Sequence, residues 1–171
     1  MNTNIFVTSL CGALLALLLV TVARAQAPAG PLKIKAIAEV ESRVANPKTA
    51  GNGSVAAKLV PATQVELGDR VIYTLEVRNP GTTAVESPSV AYPIPEHMRY
   101  IADSAVGPGA EVSYSVDGGR SFDHAENLNV QGPEGRQRPA VAADYTDIRW
   151  QLKNSLKANS VAFVRFRALV K

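Results

Sequence analysis

The sequence predicts an all-β protein, folded as a sandwich of about seven to nine short strands. Three observations lead to this prediction. Segments with an apolar residue at every second position recur along the chain, and clusters of Gly, Pro, Asn and Asp separate them. Beyond the first 25 residues, no segment keeps the 3.6-residue period of an amphipathic helix. The chain has 171 residues, of which 46% are hydrophobic and 19% charged, a composition typical of one globular domain.

The first 25 residues predict a signal peptide. Residues 5–23 are almost entirely apolar and lead into the sequence Ala23-Arg24-Ala25. Small residues at Ala23 and Ala25 suit a signal peptidase, so we expect cleavage after Ala25 and export of the protein. The opening sequence MNTN contains no Lys or Arg, so the alternative is an uncleaved helix that anchors the chain in a membrane.

The single cysteine and the charge exclude several classes of function. Cys11 precedes most of the hydrophobic run of the leader, whereas a lipoprotein cysteine follows that run. The mature chain would therefore have no disulfide, no thiolate nucleophile and no cysteine-bound zinc. The formal net charge is +3, and the charged residues are interspersed rather than clustered. We therefore expect no nucleic-acid partner.

We expect the mature chain to begin with an N-terminal extension, residues 26–57, that holds one strand and a Gly/Asn/Pro loop, followed by a sandwich domain, residues 58–171. Leu32, Ile34 and Val40 belong to an alternating pattern that predicts the first strand. Residues 46–54 are rich in Gly, Asn and Pro, which predicts a mobile loop. A short strand is expected near residues 55–60.

Within the sandwich domain, residues 70–79 give the clearest strand, because Val71, Tyr73, Leu75 and Val77 fall on one face and the other face, apart from Ile72, is polar. The Gly-Asp pair before it and the Asn-Pro-Gly sequence after it are typical of turns. Trp150 is expected at the centre of the core. The other predicted strands cover residues 85–92, 98–101, 111–116, 145–152 and 161–170. The last of these has one apolar face and one basic face, as in a sheet with one side exposed to water.

Three sequence elements in this order resemble the bacterial surface repeat called domain of unknown function eleven. They are LGDRVIYTLEVRNPG at residues 67–81, YPIPE at residues 92–96 and IRW at residues 148–150. The resemblance covers roughly residues 58–171. Leu67 stands where the repeat often has Pro, and Tyr92-Pro93 where it often has Asp, which indicates a divergent, single-copy branch. The resemblance implies an immunoglobulin-like β-sandwich that is secreted or displayed in the cell envelope and has no catalytic residues.

One short motif predicts a self-capped hairpin. The sequence SVDGGRSF at residues 115–122 is an aspartate box with Ser for Thr and Phe for Trp. Asp117 can accept hydrogen bonds from turn N–H groups, and the two glycines permit positive φ. Oxygen donors follow closely along the loop of residues 117–127. Asp117, Asp123, Glu126 and Asn127 therefore leave open the alternative of a glycan- or calcium-binding loop.

The sequence contains no pattern that indicates catalysis. His97 and His124 are the only histidines, and neither belongs to a metalloprotease motif or a nucleophile elbow. The one conceivable carboxylate dyad pairs Asp117 or Asp123 with Asp144 or Asp147. We therefore expect no enzyme, no cofactor and no metal site. The expected function is that of an exported, non-catalytic module with a structural or protein-interaction role in the cell envelope.

We expect the partner to be another envelope protein. We expect no insertion into the membrane after the signal peptide is cleaved. Residues 131–139 read QGPEGRQRP, which predicts a long polar loop between strands. Such loops often carry the binding function of an all-β module. This loop and the acidic hairpin are therefore the places where we expect the partner to bind.

Overall fold

The computed structural model describes residues 32–44 and 56–171. The predicted leader with Cys11 and the predicted loop of residues 46–54 lie outside the described residues. Within the described ranges, no helix is long and apolar enough to cross a membrane.

The described residues form ten strands and two short 3-10 turns, so the prediction of an all-β fold is confirmed. The strands are β1 (Lys33–Val44), β2 (Ala56–Pro61), β3 (Arg70–Arg78), β4 (Ser89–Pro93), β5 (Met98–Tyr100), β6 (Ala110–Ser115), β7 (Asn129–Gln131), β8 (Gln137–Pro139), β9 (Asp147–Leu152) and β10 (Val161–Val170). The 3-10 turns cover Ala125–Asn127 and Pro133–Gly135.

Eight of these strands build the two layers of a sandwich. One sheet has five strands in the order β2-β1-β3-β10-β5, and the other has three in the order β4-β9-β6. All pairings within them are antiparallel. Side chains from the two inner faces share one core, in which the rings of Trp150 and Phe166 lie 6.1 Å apart. Trp150 is fully buried, so its predicted place at the centre of the core is confirmed.

β3 is the central strand of the larger sheet, because it pairs with β1 on one side and β10 on the other. Its inward-facing side chains are buried, as the alternating pattern predicts, and they are Val71, Tyr73, Leu75 and Val77. β1 is hydrogen bonded inside the same sheet, between β2 and β3. Ile34 on β1 shares the inner face but is 45% exposed, since three opposing strands do not cover all five.

The structure corrects the prediction of a long loop at residues 131–139. β7 and β8 pair as a separate two-stranded ribbon in this region. The chain reverses in the 3-10 turn Pro133–Gly135, where the N–H of Gly132 donates to the carbonyl of Arg136 at 2.7 Å. Gly135 has a φ of 74°, a conformation that glycine adopts without steric cost. Each of these strands has three residues, too few to show an alternating pattern in the sequence.

Candidate functional site

Hydrogen bonds from Ser115 and Asp117 hold the turn after β6. The Ser115 Oγ donates to Asp117 Oδ1 at 2.7 Å and accepts from the N–H of Gly119 at 2.9 Å. Asp117 Oδ1 also accepts from the N–H groups of Arg120 and Ser121, each at 3.0 Å. Asp117 Oδ2 accepts from the Ser121 hydroxyl at 2.6 Å. The predicted self-capped hairpin is therefore confirmed.

The same hydrogen bonds favour the ionised form of Asp117. The bonds from Ser121 and Ser115 hold the pKa of its carboxyl well below the usual range. Gly118 and Gly119 follow with φ values of 76° and 78°, and a Cβ added to Gly119 would lie 3.2 Å from Asp147 Oδ1. The turn therefore packs tightly against the start of β9.

The residues after the turn are also bonded to one another. Asp123 Oδ1 accepts from the Asn127 amide at 2.9 Å and from the N–H of His124 at 2.7 Å, and these bonds lower the pKa of Asp123. The His124 Nε2 lies 3.2 Å from Glu111 Oε1 on β6. Glu126 is exposed. Of the four residues in this loop that were predicted as possible oxygen ligands, three thus already form hydrogen bonds within the hairpin.

Asp144, one member of the conceivable carboxylate dyad, forms an ion pair with Arg138. The Arg138 guanidinium donates to both Asp144 oxygens at 2.7 Å, and Asp144 Oδ2 also accepts from the N–H of Val141 at 2.8 Å. The bond from Arg138 lowers the pKa of Asp144 to about 2. Asp144 thus joins β8 to the loop before β9. Among the described residues, no group of three His, Cys, Asp or Glu side chains is placed to hold a metal ion.

The two histidines occupy different turns. His97 precedes β5 with a φ of 61°, and its carbonyl accepts from the N–H of Lys171 at 2.9 Å. His124 follows β6 and contacts Glu111.

Of the residues named for the conceivable carboxylate dyad, Asp117 is hydrogen bonded to Ser121 and Asp144 to Arg138.

The outer face of the five-stranded sheet was not identified as a site from the sequence. Lys35, Glu76 and Phe163 form one row across β1, β3 and β10 on this face. We call it the basic face, and among the residues whose side chains the structure describes its basic members are Lys33, Lys35, Arg70, Arg78, Arg99, Arg165 and Arg167. All seven are exposed, whereas its three acidic residues, Glu39, Glu41 and Glu76, are half-buried. The alternation along residues 161–170 was the available signal, because it directs Phe163 and Arg165 to the same side as Arg167.

Tyr145, in the loop before β9, packs against Tyr100 and Tyr114. Its ring stacks on that of Tyr114 with centroids 4.4 Å apart. Burial raises the pKa of the Tyr145 hydroxyl, and the nearby charges of Asp103, Asp144 and Glu126 raise it further.

Comparison with known proteins gives no match to the chain among protein-family models, curated proteins or solved structures. The resemblance to the bacterial surface repeat remains a prediction from the sequence.

Proposed function

We propose that the protein is an exported, non-catalytic β-sandwich module with a structural or protein-interaction role in the cell envelope. Export is supported by the sequence of residues 1–25. The observation that carries the interaction role is the apolar surface within the basic face. Phe163 is 49% exposed and Ile37 is 36% exposed, although both belong to the central part of a paired sheet.

The position of these two side chains supports a binding surface. They lie on neighbouring rows of the face, on either side of β3, where Thr74 and Glu76 separate them. A single exposed apolar residue is common on protein surfaces, but aromatic residues and Arg are enriched where proteins bind each other. Arg165, exposed in the same row as Ile37, adds such a residue. The face therefore combines apolar anchors with surrounding cations.

Site-specific photocrosslinking tests this role. A photoreactive amino acid replaces Phe163 in one variant and, as a matched control, Ala91 in another, because Ala91 is exposed on the outer face of the smaller sheet. We expect a discrete crosslinked product from position 163 and none from position 91 in cells that express the full chain. Equal products, or none at position 163, would contradict the interaction role. Deletion of residues 1–25 should retain the protein inside the cell.

The alternative is a glycan- or calcium-binding module that uses the loop of residues 117–127. The contacts of Asp117 weigh against calcium, because both of its oxygens already accept hydrogen bonds within the turn. Calcium takes about six to eight oxygen ligands, so the ion would have to displace those bonds. A rise in the melting temperature on adding millimolar calcium, lost in Asp117→Asn, would support the alternative. We expect no rise.

A further inference from the structure

We propose that the first half of β1, residues 33–38, is an open sheet edge that binds an extended segment of another envelope protein as an added strand. The segment that fits has acidic side chains on its outward face and apolar side chains on its inward face. This inference rests on the proposed interaction role and deepens it, because it names the form and the chemistry of the partner.

One side of residues 33–38 has no strand partner in the part of the chain that the structure describes. β3 pairs with β1 over residues 33–40, but β2, on the other side, pairs with β1 only from Glu39 onwards. The edge of the sheet therefore passes from β2 to β1 at residue 38. Unpaired N–H and C=O groups along such an edge are a template for another strand.

The backbone groups that point to this open side belong to Ile34 and Ala36. The carbonyl of Ala38 accepts from the N–H of Ala62 at 3.0 Å, just beyond the end of β2. In an antiparallel sheet, the N–H and C=O of one residue point to the same side, and successive residues alternate. Ala36 and Ile34, two and four residues earlier, therefore direct two N–H and two C=O groups to the side of β2. Among the described residues, no other backbone group is bonded to them on that side.

The inner face of the edge is apolar. Ile34 is 45% exposed and Ala36 is exposed, because three opposing strands do not cover all five. An added strand would place its own inward side chains beside these two residues. Apolar side chains at those positions would gain from burial against Ile34, so the inward face of the partner should be apolar.

The outer face of the edge is positively charged. Lys33 and Lys35 are both exposed there. Lys35 lies directly opposite Glu76 on β3, but Lys33 lies directly opposite Arg78, and like charges in that position repel each other. The unbalanced positive charge is therefore centred on Lys33 and Arg78. An acidic side chain on the added strand would relieve this repulsion, so the outward face of the partner should be acidic.

A second copy of this chain does not have the chemistry of this partner. Antiparallel pairing of two such edges would set the lysines of the second copy beside Lys33 and Lys35, and lysines on an edge strand oppose that kind of pairing. A segment of a different protein has no such restriction. Lys35 also belongs to the same row as Phe163, so the edge is continuous with the surface on which the interaction role rests.

An NMR titration tests the proposal on the exported protein, purified from cells that express the full chain. The probe is a synthetic peptide of about eight residues in which Glu and Val alternate. We expect the amide signals of Ile34 and Ala36 to shift on addition of the peptide, and their amide protons to exchange more slowly with solvent. A peptide of the same composition, with its Glu and Val residues in two separate blocks, should leave these signals unchanged.

Ala36→Pro tests the backbone contact, because proline has no N–H and the N–H of Ala36 points away from β3. The matched control is Ala91→Pro on β4, an exposed edge strand of the smaller sheet. The N–H of Ile94 donates to the carbonyl of Thr146 on the β9 side, so the N–H of Ala91, three residues earlier, points away from β9. Ala36→Pro should weaken peptide binding by about tenfold or more, and Ala91→Pro should bind like wild type.

Lys33→Glu tests the charge of the edge. It places a carboxylate opposite Arg78, so the pairing of β1 with β3 should be retained. Binding of the alternating peptide should weaken by about tenfold, and the difference from wild type should shrink with added salt. Lys153→Glu makes the same charge change on an exposed lysine outside β1 and should bind like wild type. Circular dichroism and melting temperature verify folding of every variant.

Four results would overturn the proposal. Amide protons of Ile34 and Ala36 that are protected before peptide is added would show that a segment of the same chain occupies the edge. Shifts of their signals with protein concentration alone would identify a second copy as the occupant. Equal binding of the two peptides, or equal losses in Ala36→Pro and Ala91→Pro, would show that no strand is added at this edge.

The outcome for the interaction role is separate. If no peptide binds but position 163 still gives a discrete crosslinked product, the added strand is wrong and the interaction role stands. If position 163 gives no crosslink and no peptide binds, both are wrong.

Discussion

The side-chain amide of Asn79 donates to the carbonyl of Leu156 at 2.9 Å and joins the end of β3 to the turn between β9 and β10. The same Nδ2 also lies 2.8 Å from the carbonyl of Thr83 and 3.1 Å from that of Lys157. Its Oδ1 accepts from the N–H of Gly81 at 3.0 Å. Asn79 is fully buried. One buried side chain thus bonds the turn after β3 to the turn between β9 and β10.

Asn79→Ala should lower the free energy of unfolding by about 3 kcal/mol, because it removes the hydrogen bonds that a fully buried side chain makes to both turns. Urea denaturation measures this change. Asn129→Ala is the matched control, since Asn129 is exposed and its amide makes one bond of 3.2 Å to Asn127. We expect the control to change stability by less than about 0.5 kcal/mol. Equal effects would contradict the structural role of Asn79.

Asp117→Asn should lower the melting temperature at neutral pH, and it should lower it less in acid. The folded protein holds the pKa of Asp117 below its ordinary value, so the ionised carboxyl stabilises the fold above about pH 4. This stabilisation is lost as the pH falls below that value and the carboxyl is protonated. The melting-temperature gap between wild type and variant should therefore narrow towards about pH 2.

The matched control for this prediction is Glu96→Gln, which removes the same charge from an exposed side chain. Its melting temperature should stay close to that of wild type at neutral pH. A gap for Asp117→Asn that is constant or widens in acid would show that the turn does not depend on the ionised carboxyl.

Tyr114→Phe should destabilise the protein at neutral pH and have a smaller effect in alkali. Burial raises the pKa of Tyr114, and the hydrogen bond of 3.1 Å to the Tyr100 hydroxyl raises it further. The wild type should therefore lose stability as the pH rises above about 10, where tyrosine ionises in the unfolded chain. The variant loses the hydrogen bond, at a cost of about 1 kcal/mol, but has no hydroxyl to ionise at this position.

Urea denaturation at neutral pH and at about pH 11 measures both parts of this prediction. We expect the difference in unfolding free energy between wild type and Tyr114→Phe to shrink at the higher pH. Parallel losses of stability in the two proteins would contradict a half-buried, neutral Tyr114.

The ion pair between Arg167 and Glu41 should contribute little by itself. It joins β10 to β1 over the intervening β3, with Arg167 Nε 3.2 Å from Glu41 Oε1. A double-mutant cycle should give a coupling of about 0.5 kcal/mol that falls with added salt. Arg167→Ala should cost more than Glu41→Ala, because Arg167 lies beside Ile72, which is only 4% exposed on this outer face. Equal losses of stability in the two single variants would argue against packing of Arg167 over Ile72.

Strand positions were predictable where a strand is long and has one buried face. Residues 161–170 were predicted as a strand and form β10, and β3 lies within one residue of its prediction. The aspartate box was also predictable, because every partner of Asp117 within the turn lies within four residues of it. Such features depend on residues that lie close together in the sequence, so a short segment is enough to predict them.

The basic face was not recognised because its members come from distant parts of the chain. Lys35, Glu76 and Phe163 become neighbours only through the pairing of β1, β3 and β10. The role of Asn79 was missed for the same reason, since its partner Leu156 is 77 residues away. The sequence predicted a turn at Asn79 but contained no local signal for its long-range contact.

The sequence by itself determined the strand periodicity, the turn chemistry and the hairpin of Asp117, because these depend on residues close together in the chain. Only the tertiary structure decided which strands pair, which charges share a face and which are exposed. The physical reason is that strand pairing is stabilised by burial of one face against another layer, and no local pattern specifies the partner. The same pairing places Phe163 among cations on an open surface.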